Sequence, residues 1–142
     1  MITAKTKIAI AFAFLSIACL TACKKTEVTP QEQAESLLTA GAWAKPTVTV
    51  DGVDHSDLYQ NFTVQFINKT YSSSGGLPLW PAAGTWMMSE DGKTLKIDGK
   101  LEMQISEMTD KTLQLTFQWD KSTYAPGRVQ SIGGRNVFNL KR

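Results

Sequence analysis

The chain contains one histidine, His55, and its neighbours are of the types that could take part in catalysis or metal binding. The segment reads Asp54-His55-Ser56-Asp57, and Asp51 lies shortly before it. A nucleophile triad needs a base within hydrogen-bond reach of the nucleophile and a third group that orients the base. Adjacent residues point in different directions and cannot relay a proton in this way. We therefore predict that the chain is not an enzyme and has no catalytic residue.

The same segment offers carboxylate and imidazole ligands to a divalent cation, but its spacing matches neither an EF-hand nor a zinc site. Asp91-Gly92-Lys93 and Asp98-Gly99-Lys100 are similar to fragments of calcium loops, yet they are spaced as hairpin turns. We interpret the His55 segment as a solvated loop with a helix cap and predict no metal and no cofactor. Any two of the 13 acidic residues could still meet as the carboxylate pair of a hydrolase, which stays open as a third alternative.

The N-terminus has the pattern of an export signal. Lys5 and Lys7 precede an uncharged apolar run over residues 8–20, which is shorter than the roughly 20 residues that span a bilayer. Leu20-Thr21-Ala22-Cys23 resembles the lipobox of bacterial lipoproteins, and this resemblance implies that Cys23 is acylated, with palmitate as one expected chain. We expect residues 1–22 to be a signal peptide, residues 23–30 a lipidated tether and residues 31–142 one folded domain.

Removal of the signal would leave 120 of the 142 residues, which suits one domain with its own core. Removal of Lys5 and Lys7 with the signal lowers the number of basic residues from 15 to 13, which equals the 13 acidic residues and gives the mature chain a net charge near zero. A charge near zero argues against a nucleic-acid partner. Cys19 would leave with the signal and Cys23 would carry lipid, so we expect no disulfide.

The residues after the lipidated cysteine suggest where the protein is sorted. Lys24 and Lys25 follow Cys23 and can attract anionic headgroups weakly. By resemblance to known sorting patterns, Lys24 in place of an aspartate favours the outer membrane over the inner one. The residues after Cys23 lack the acidic cluster that often marks display on the cell surface. We expect an anchored envelope protein that faces the periplasm, with surface exposure as the alternative.

One helix and then a series of strands must position any site. Thr29 is a suitable N-cap, Pro30 suits the first helical position, and Gly41 follows the end, so residues 31–39 are predicted to be helical. From Trp43 onward apolar residues alternate with polar ones, which predicts antiparallel strands with one wet face. The clearest runs are Phe62, Val64, Phe66; Leu101, Met103, Ile105; and Leu113, Leu115, Phe117, Trp119. Weaker runs occupy residues 47–50, 70–73, 85–88, 94–97 and 136–140.

Short turn signals separate these runs. Asn68-Lys69, Asp91-Gly92, Asp98-Gly99 and Asp110-Lys111 each stand where a hairpin needs a residue that tolerates positive φ. About eight strands in up-and-down order result. Because closure removes the exposed edges of such a sheet, we predict an all-β, antiparallel up-and-down barrel with one short N-terminal helix, and keep a sandwich as the alternative.

The arrangement of motifs resembles the lipocalin-like domains of small bacterial lipoproteins. After the lipobox and the helix, Gly41-Ala42-Trp43 provides a Gly-x-Trp at the entry to the first strand. The motif Asn-Phe-Thr-Val-Gln-Phe follows at residues 61–66, then Thr-Tyr at 70–71, Gly-Thr-Trp at 84–86 and Asp-Gly-Lys-Thr-Leu at 91–95. The resemblance implies an eight-stranded barrel in which Trp43 plugs one end beneath a stacked cation, for which Arg135, Lys141 and Arg142 are candidates.

Two long loops and the aromatic residues are the candidates for a ligand site. The loops cover residues 72–84 and 120–134, and long loops on a rigid barrel often carry function. Trp80 lies between Pro78 and Pro81 in the first loop, where a core role is hard to explain, so we expect a pocket lid or contact residue. The candidate ligand-binding residues are Trp43, Phe62, Phe66, Tyr71, Trp80, Trp86, Met103 and Phe117.

These residues admit two interpretations. Arranged around a gap, they would hold a small apolar or amphipathic ligand, which is the function we favour. Arranged without a gap, they would form a solid barrel, and the long loops would contact an envelope protein partner through an apolar patch at residues 77–80.

Overall fold

The computed structural model describes residues 26–120, 123–125 and 128–142. The predicted signal peptide at residues 1–22 and the predicted lipidation site Cys23 lie outside the described residues, as do residues 24 and 25 of the predicted tether. None of the helices in the described part of the chain is long and apolar enough to cross a membrane.

Strands dominate the described part of the chain. The elements, in order, are α1 (Pro30–Thr39), β1 (Trp43–Val50), β2 (Val53–Asp54), a 3₁₀ helix (Ser56–Tyr59), β3 (Thr63–Ile67), β4 (Thr70–Ser74), β5 (Ala83–Met88), β6 (Thr94–Ile97), β7 (Leu101–Met108), β8 (Thr112–Trp119), β9 (Thr123–Ala125), β10 (Arg128–Ser131) and β11 (Gly134–Lys141).

Eight of these strands form a closed antiparallel barrel. Its strands follow the order β1, β3, β4, β5, β6, β7, β8 and β11, and β11 pairs again with β1. The closing ladder pairs Ala44 with Lys141 near one end and Val50 with Asn136 near the other. Closure pairs the two edges that an open sheet would expose. The predicted all-β, up-and-down barrel with one short helix is confirmed.

Two small additions lie outside this cycle. β2 pairs only with the end of β1, and β9 and β10 form a separate hairpin between β8 and β11. The second long loop that the sequence indicated therefore contains a hairpin of its own. The first one is shorter than expected, since β4 and β5 leave only residues 75–82 as their connection.

Helix α1 begins where the sequence predicts. Thr29 is its N-cap, and the side chains of Thr29 and Glu32 form a capping box with Pro30 in the first turn. Ala34 and Leu38 are buried against the barrel, and Gln31 Nε2 donates to the carbonyl oxygen of Met88 at 2.9 Å. We call this end of the barrel, formed by α1, the start of β1 and the turns after β3, β5 and β7, the helix end.

The opposite end carries the longer connections, and we call it the loop end. It comprises the 3₁₀ helix, the connection over residues 75–82, the turn between β6 and β7, and the β9–β10 hairpin. Because neighbouring strands alternate in direction, β1, β4 and β8 finish at this end and β11 begins there.

Strand β1 is longer than its sequence pattern indicates. The alternation is clear only over residues 47–50, whereas the strand starts at Trp43. A register shift between Ala44 and Thr47, with Lys45 at a φ of 50°, interrupts the pairing beside Pro46. This bulge hides the period of two from a sequence pattern.

Most turn predictions are confirmed. Asn68 and Lys69 both have positive φ, as do Asp98 and the two glycines at 92 and 99. The turn at Asp110-Lys111 lies where it was predicted, between β7 and β8, but neither residue has the expected positive φ. That turn is held by the side chain of Thr109, whose Oγ1 accepts from the backbone N–H of Lys111 and of Thr112.

Candidate functional site

All eight residues predicted to bind a ligand face one continuous barrel interior. Each exposes at most 3% of its surface, and all belong to the same buried cluster. The alternation of β8 shows the cause, since Leu113, Leu115 and Phe117 are buried while their polar neighbours are not. The barrel interior therefore brings together the residues that the sequence singled out.

Trp80 lies inside the barrel, although it belongs to a connection. Its ring centroid is 5.4 Å from that of Phe62, 5.9 Å from Tyr71 and 6.3 Å from Phe66. The Tyr71 and Phe66 rings meet the indole nearly at right angles, at 90° and 74°, which is a favourable edge-to-face geometry. The expectation that Trp80 has no core role is wrong, because its side chain is fully buried in an aromatic cage. Its role as a pocket lid or contact residue stays a prediction.

The connection around Trp80 is closely fitted to the cage. The Trp80 backbone N–H donates to the carbonyl oxygen of Gly76 at 2.9 Å, and Ser73 Oγ donates to that of Pro81 at 2.8 Å. A Cβ atom at position 76 would lie 2.5 Å from the Phe62 ring and 2.6 Å from Trp80 Cβ. Glycine at position 76 therefore lets the connection approach closely enough for the indole to enter.

In the part of the chain that the structure describes, four buried side-chain polar atoms have no hydrogen-bond partner. They are Tyr59 Oη, Trp80 Nε1, Trp119 Nε1 and Asn136 Oδ1. All four belong to residues at the loop end: Tyr59 ends the 3₁₀ helix, Trp80 lies in the connection, Trp119 ends β8 and Asn136 lies near the start of β11. Buried polar groups in native proteins are nearly always paired, so this concentration at one end needs an explanation.

Phe138 contacts one residue with an unpaired atom, Tyr59, and shares the buried face of β11 with another, Asn136. The Tyr59 and Phe138 ring centroids are 4.8 Å apart at 64°, and Asn136 precedes Phe138 by two residues on the same buried face of β11. Asn136 Nδ2 donates to the carbonyl oxygens of Gly134 and Ile132, at 3.0 and 3.4 Å, which leaves its oxygen as the unpaired atom. Burial raises the pKa of the Tyr59 phenol to about 12.

Tyr71 shows what a paired phenol looks like in the same barrel. Its Oη donates to Asp98 Oδ2 at 2.7 Å, and Asp98 Oδ1 accepts from the backbone N–H of Thr85 at 2.8 Å. Burial, followed by the hydrogen bond to Asp98 and its negative charge, raises the pKa of Tyr71 well above the ordinary range. The two tyrosines therefore differ in whether the protein itself supplies a partner.

A small surface pocket opens at the loop end beside Trp119. It has a volume of about 270 Å³ and is lined by Lys100, Leu101, Gln118, Trp119 and Asp120. This is slightly below the ordinary range for ligand pockets, about 300–1,000 Å³. The pocket exposes part of Trp119, which is the one residue of its lining that also carries one of the four unpaired atoms.

A larger groove of about 570 Å³ lies at the helix end, between α1 and the turn after β3. Its charged groups and its indole nitrogen are already paired within the protein. Lys69 forms an ion pair with Glu35 and places its ammonium nitrogen 4.6 Å from the Trp86 ring centroid, while Trp86 Nε1 donates to the carbonyl oxygen of Thr70 at 2.8 Å. We therefore place the candidate site at the loop end despite the smaller pocket there.

Trp43 has the same kind of surroundings as Trp86. Its Nε1 donates to the carbonyl oxygen of Leu38 at 2.9 Å, and the guanidinium of Arg142 lies over its ring. Of the three cations that the sequence offered for this position, Arg142 is the one in place. Trp43 and Trp86 are satisfied within the fold, and the unpaired indoles are those of Trp80 and Trp119.

The His55 segment is held by local hydrogen bonds. Asp54 Oδ1 accepts from both the hydroxyl and the backbone N–H of Ser56, and these two bonds lower the pKa of Asp54. Ser56 in turn accepts from the backbone N–H of Val48 at 2.9 Å. In the described part of the chain, no group of three or more His, Cys, Asp or Glu side chains could hold a metal ion.

The sequence analysis missed Tyr59, Asn136, Trp119 and Phe138 as site residues. The sequence did contain a signal for Asn136. It shares one face of an alternating strand with Phe138 and Leu140, and a polar amide is unusual on an apolar, inward-facing side. Tyr59 gave no signal, since it lies in a 3₁₀ helix between β2 and β3, outside the alternating strands. No protein-family profile matches the chain, and no curated protein is significantly similar to it.

Proposed function

We propose that this chain is a lipid-anchored envelope protein whose barrel binds a small amphipathic molecule at its loop end, without catalysis. The observation that carries the proposal is the set of four buried, unpaired polar atoms at that end, on Tyr59, Trp80, Trp119 and Asn136. Leaving a buried polar group unpaired costs about 1–3 kcal/mol. A ligand that supplies partners would recover part of this cost, and the apolar interior would hold the rest of the molecule.

The chemistry of these groups suits binding. They are a phenol, two indoles and a carboxamide, so they can donate to and accept from a ligand but do not form an activated nucleophile. Ser131 and Asn136 are the only polar residues buried in the part of the chain whose side chains are described. We therefore propose a ligand whose buried part carries no charge.

The location of Trp43 supports the proposed membership of the lipocalin-like lipoproteins. The tryptophan of Gly41-Ala42-Trp43 follows a short helix, begins β1 and lies under the cation of Arg142, as the resemblance implies. Lipidation at Cys23 and residence at the periplasmic face of the outer membrane are part of the same proposal.

Native mass spectrometry of the protein isolated from membranes in mild detergent tests the proposal. We expect a co-purifying small molecule whose occupancy falls in Tyr59→Phe, which lacks the unpaired hydroxyl. Tyr71→Phe is the comparison: it keeps the ring of the cage and removes a hydroxyl that is already bonded to Asp98, so its occupancy should fall less than that of Tyr59→Phe. An empty protein whose tryptophan fluorescence ignores a panel of lipids and aromatic compounds would remove the proposal.

One observation favours a second candidate, a solid barrel that contacts an envelope protein. The predicted ligand residues pack against each other, and Trp80 fills the space between three rings. The apolar patch expected at residues 77–80 is small, because Leu77 is 64% exposed while Leu79 and Trp80 are buried. An empty barrel together with a protein partner lost on Leu77→Ser would support this second candidate.

A further inference from the structure

We propose that the Trp80 indole is an internal plug that the ligand replaces, and that the ligand is therefore a planar, uncharged aromatic molecule carrying a hydroxyl or amide group. This inference rests on the proposed small-molecule binding at the loop end. It adds the chemical class of the ligand and the conformational change that admits it.

The first support is the way in which Trp80 enters the barrel. The other three tryptophans lie on β1, β5 and β8, whereas Trp80 lies in the connection between β4 and β5. The ladder between these strands pairs residues 70–72 with residues 83–85 and does not include it. The bonds that withdrawal of the indole has to disturb are therefore those of the connection itself, from Trp80 N–H to Gly76 and from Ser73 Oγ to Pro81, and not the ladder between β4 and β5.

The second support is the hydrogen bonding of the indole nitrogen. Trp80 Nε1 is buried without a partner, whereas the nitrogens of Trp43 and Trp86 donate to backbone carbonyl oxygens. Outside the barrel, Trp80 Nε1 would donate to water. The unpaired N–H therefore offsets part of the free energy that burial of the apolar Trp80 ring contributes.

The shape of the cage defines the apolar part of the ligand. Phe62, Phe66 and Tyr71 surround a flat indole, two of them with their rings nearly perpendicular to it. Such a slot accepts another flat ring system of similar size more readily than a flexible chain, because edge-to-face contacts favour aromatic faces.

The unpaired atoms beyond the cage define the polar part. Phe62 packs against Phe138 with ring centroids 5.9 Å apart, the Tyr59 ring also contacts Phe138, and Asn136 lies two residues before Phe138 on the buried face of β11. A hydroxyl or amide on the ring system can donate to Asn136 Oδ1 and accept from the Tyr59 hydroxyl. A charged group would find no opposite charge among the described buried side chains.

The proposed plug predicts the direction in which removal of the Trp80 indole changes ligand affinity. If the ligand binds only when the indole is withdrawn, the apparent affinity is reduced by the fraction of molecules in that state. Removal of the indole by Trp80→Ala should then tighten binding, by about tenfold or more where the withdrawn state is a tenth or less. A direct contact residue would show the opposite effect, weaker binding in the variant.

The test uses the full mature chain labelled with 5-fluorotryptophan, and 2-naphthol as the aromatic probe. Four ¹⁹F resonances are expected from the four tryptophans, and Trp80→Phe assigns one of them. On addition of 2-naphthol, the Trp80 resonance should acquire the solvent isotope shift of an exposed indole, and Trp80→Ala should bind the probe more tightly than the unaltered protein.

Trp86→Ala is the matched control, because Trp86 is equally buried and also contacts Phe66, at 5.9 Å. If a new cavity alone explained tighter binding, both alanine variants would show it. Should Trp80→Ala fail to fold by circular dichroism, Trp80→Leu and Trp86→Leu replace the pair.

The outcomes separate this inference from the function on which it rests. Binding of 2-naphthol with a buried Trp80 resonance, or weaker binding by Trp80→Ala, would overturn the plug and leave ligand binding standing. Binding of 1-dodecanol but not of 2-naphthol would overturn the aromatic class alone. If neither probe binds any variant, the inference fails, and the co-purification experiment then decides separately whether the barrel binds a ligand.

Discussion

The guanidinium of Arg142 lies 4.2 Å from the centre of the Trp43 ring, and its Nη1 donates to the carbonyl oxygen of Leu37 at 2.9 Å. The side chain also donates to the carbonyl oxygen of Asp110. One residue thus joins the start of β1, the last turn of α1 and the turn after β7. Residues far apart in the chain are connected here at the point where the barrel closes.

Replacement of Arg142 by alanine should reduce the free energy of unfolding by about 1–2 kcal/mol. The exposed cation–π contact accounts for about 0.5–1 kcal/mol, and the hydrogen bonds to backbone carbonyls for the remainder. Urea denaturation measures the change. Lys141→Ala, an exposed neighbour on the same strand, is the control, and an equal loss in both variants would show that the contact contributes nothing.

Tyr59→Phe and Tyr71→Phe should affect stability differently. Removal of the Tyr59 hydroxyl deletes a buried group without a partner, so stability should stay the same or rise. Removal of the Tyr71 hydroxyl deletes a bond to the Asp98 carboxylate, which should cost about 1.5–3 kcal/mol. Thermal and urea unfolding of the ligand-free proteins compare the two, and a large loss in Tyr59→Phe would mean that its hydroxyl is paired in solution.

Stability should fall with pH above about 10. The pKa of Tyr59 rises from 10.0 to about 12 on burial, so between these values the unfolded chain releases the phenolic proton while the folded one keeps it. The folded state then binds more protons, and raising the pH favours unfolding.

This dependence is measured by urea midpoints between pH 8 and pH 11, with tyrosinate absorbance as a direct probe. Tyr59→Phe should lose less stability over this range than the unaltered protein, since lysine titration is common to both. Identical pH profiles would argue that the Tyr59 phenol is accessible to solvent in the folded protein.

Gly76→Ala should destabilise the protein by about 1–3 kcal/mol through overpacking, because the added Cβ would collide with Phe62 and with Trp80. The red shift of tryptophan emission reports whether Trp80 is displaced. Gly41→Ala is the control, since its Cβ would meet Arg142 Cδ at an ordinary 3.5 Å. Equal stability of the two variants would contradict the tight fit of the connection.

Lipidation can be tested independently of the barrel. Cells that produce the full chain should incorporate labelled palmitate into it, and Cys23→Ser should abolish the label. Mass spectrometry should place the modification on a new N-terminus at Cys23. A secreted, unmodified chain would contradict the anchor while leaving the fold and the ligand site unaffected.

The strands and the helix could be predicted from local patterns, because alternation and capping act over a few residues. Phe62, Val64 and Phe66 alternate as expected, and Thr29 caps α1 through a side chain three residues from its partner. The backbone conformation of the turn at Asp110 was misjudged because Thr109, outside the expected dipeptide, satisfies its backbone.

The site was harder to predict because it depends on contacts between distant residues. Nothing within a few positions of Trp80 shows that Phe62, Phe66 and Tyr71 surround it. The unpaired state of Asn136 Oδ1 is likewise a property of the packed barrel and not of β11 alone.

The position of α1 sets the direction from which a ligand would arrive. On the proposed anchor, Thr29 lies six positions after Cys23, so the two residues are at most about 20 Å apart even when the chain between them is fully extended. The end that α1 covers would then stay near the bilayer, and the loop end, with the surface pocket beside Trp119, would point towards the aqueous compartment. Such a protein would capture molecules dissolved in the periplasm, rather than extract lipids from the leaflet that holds it.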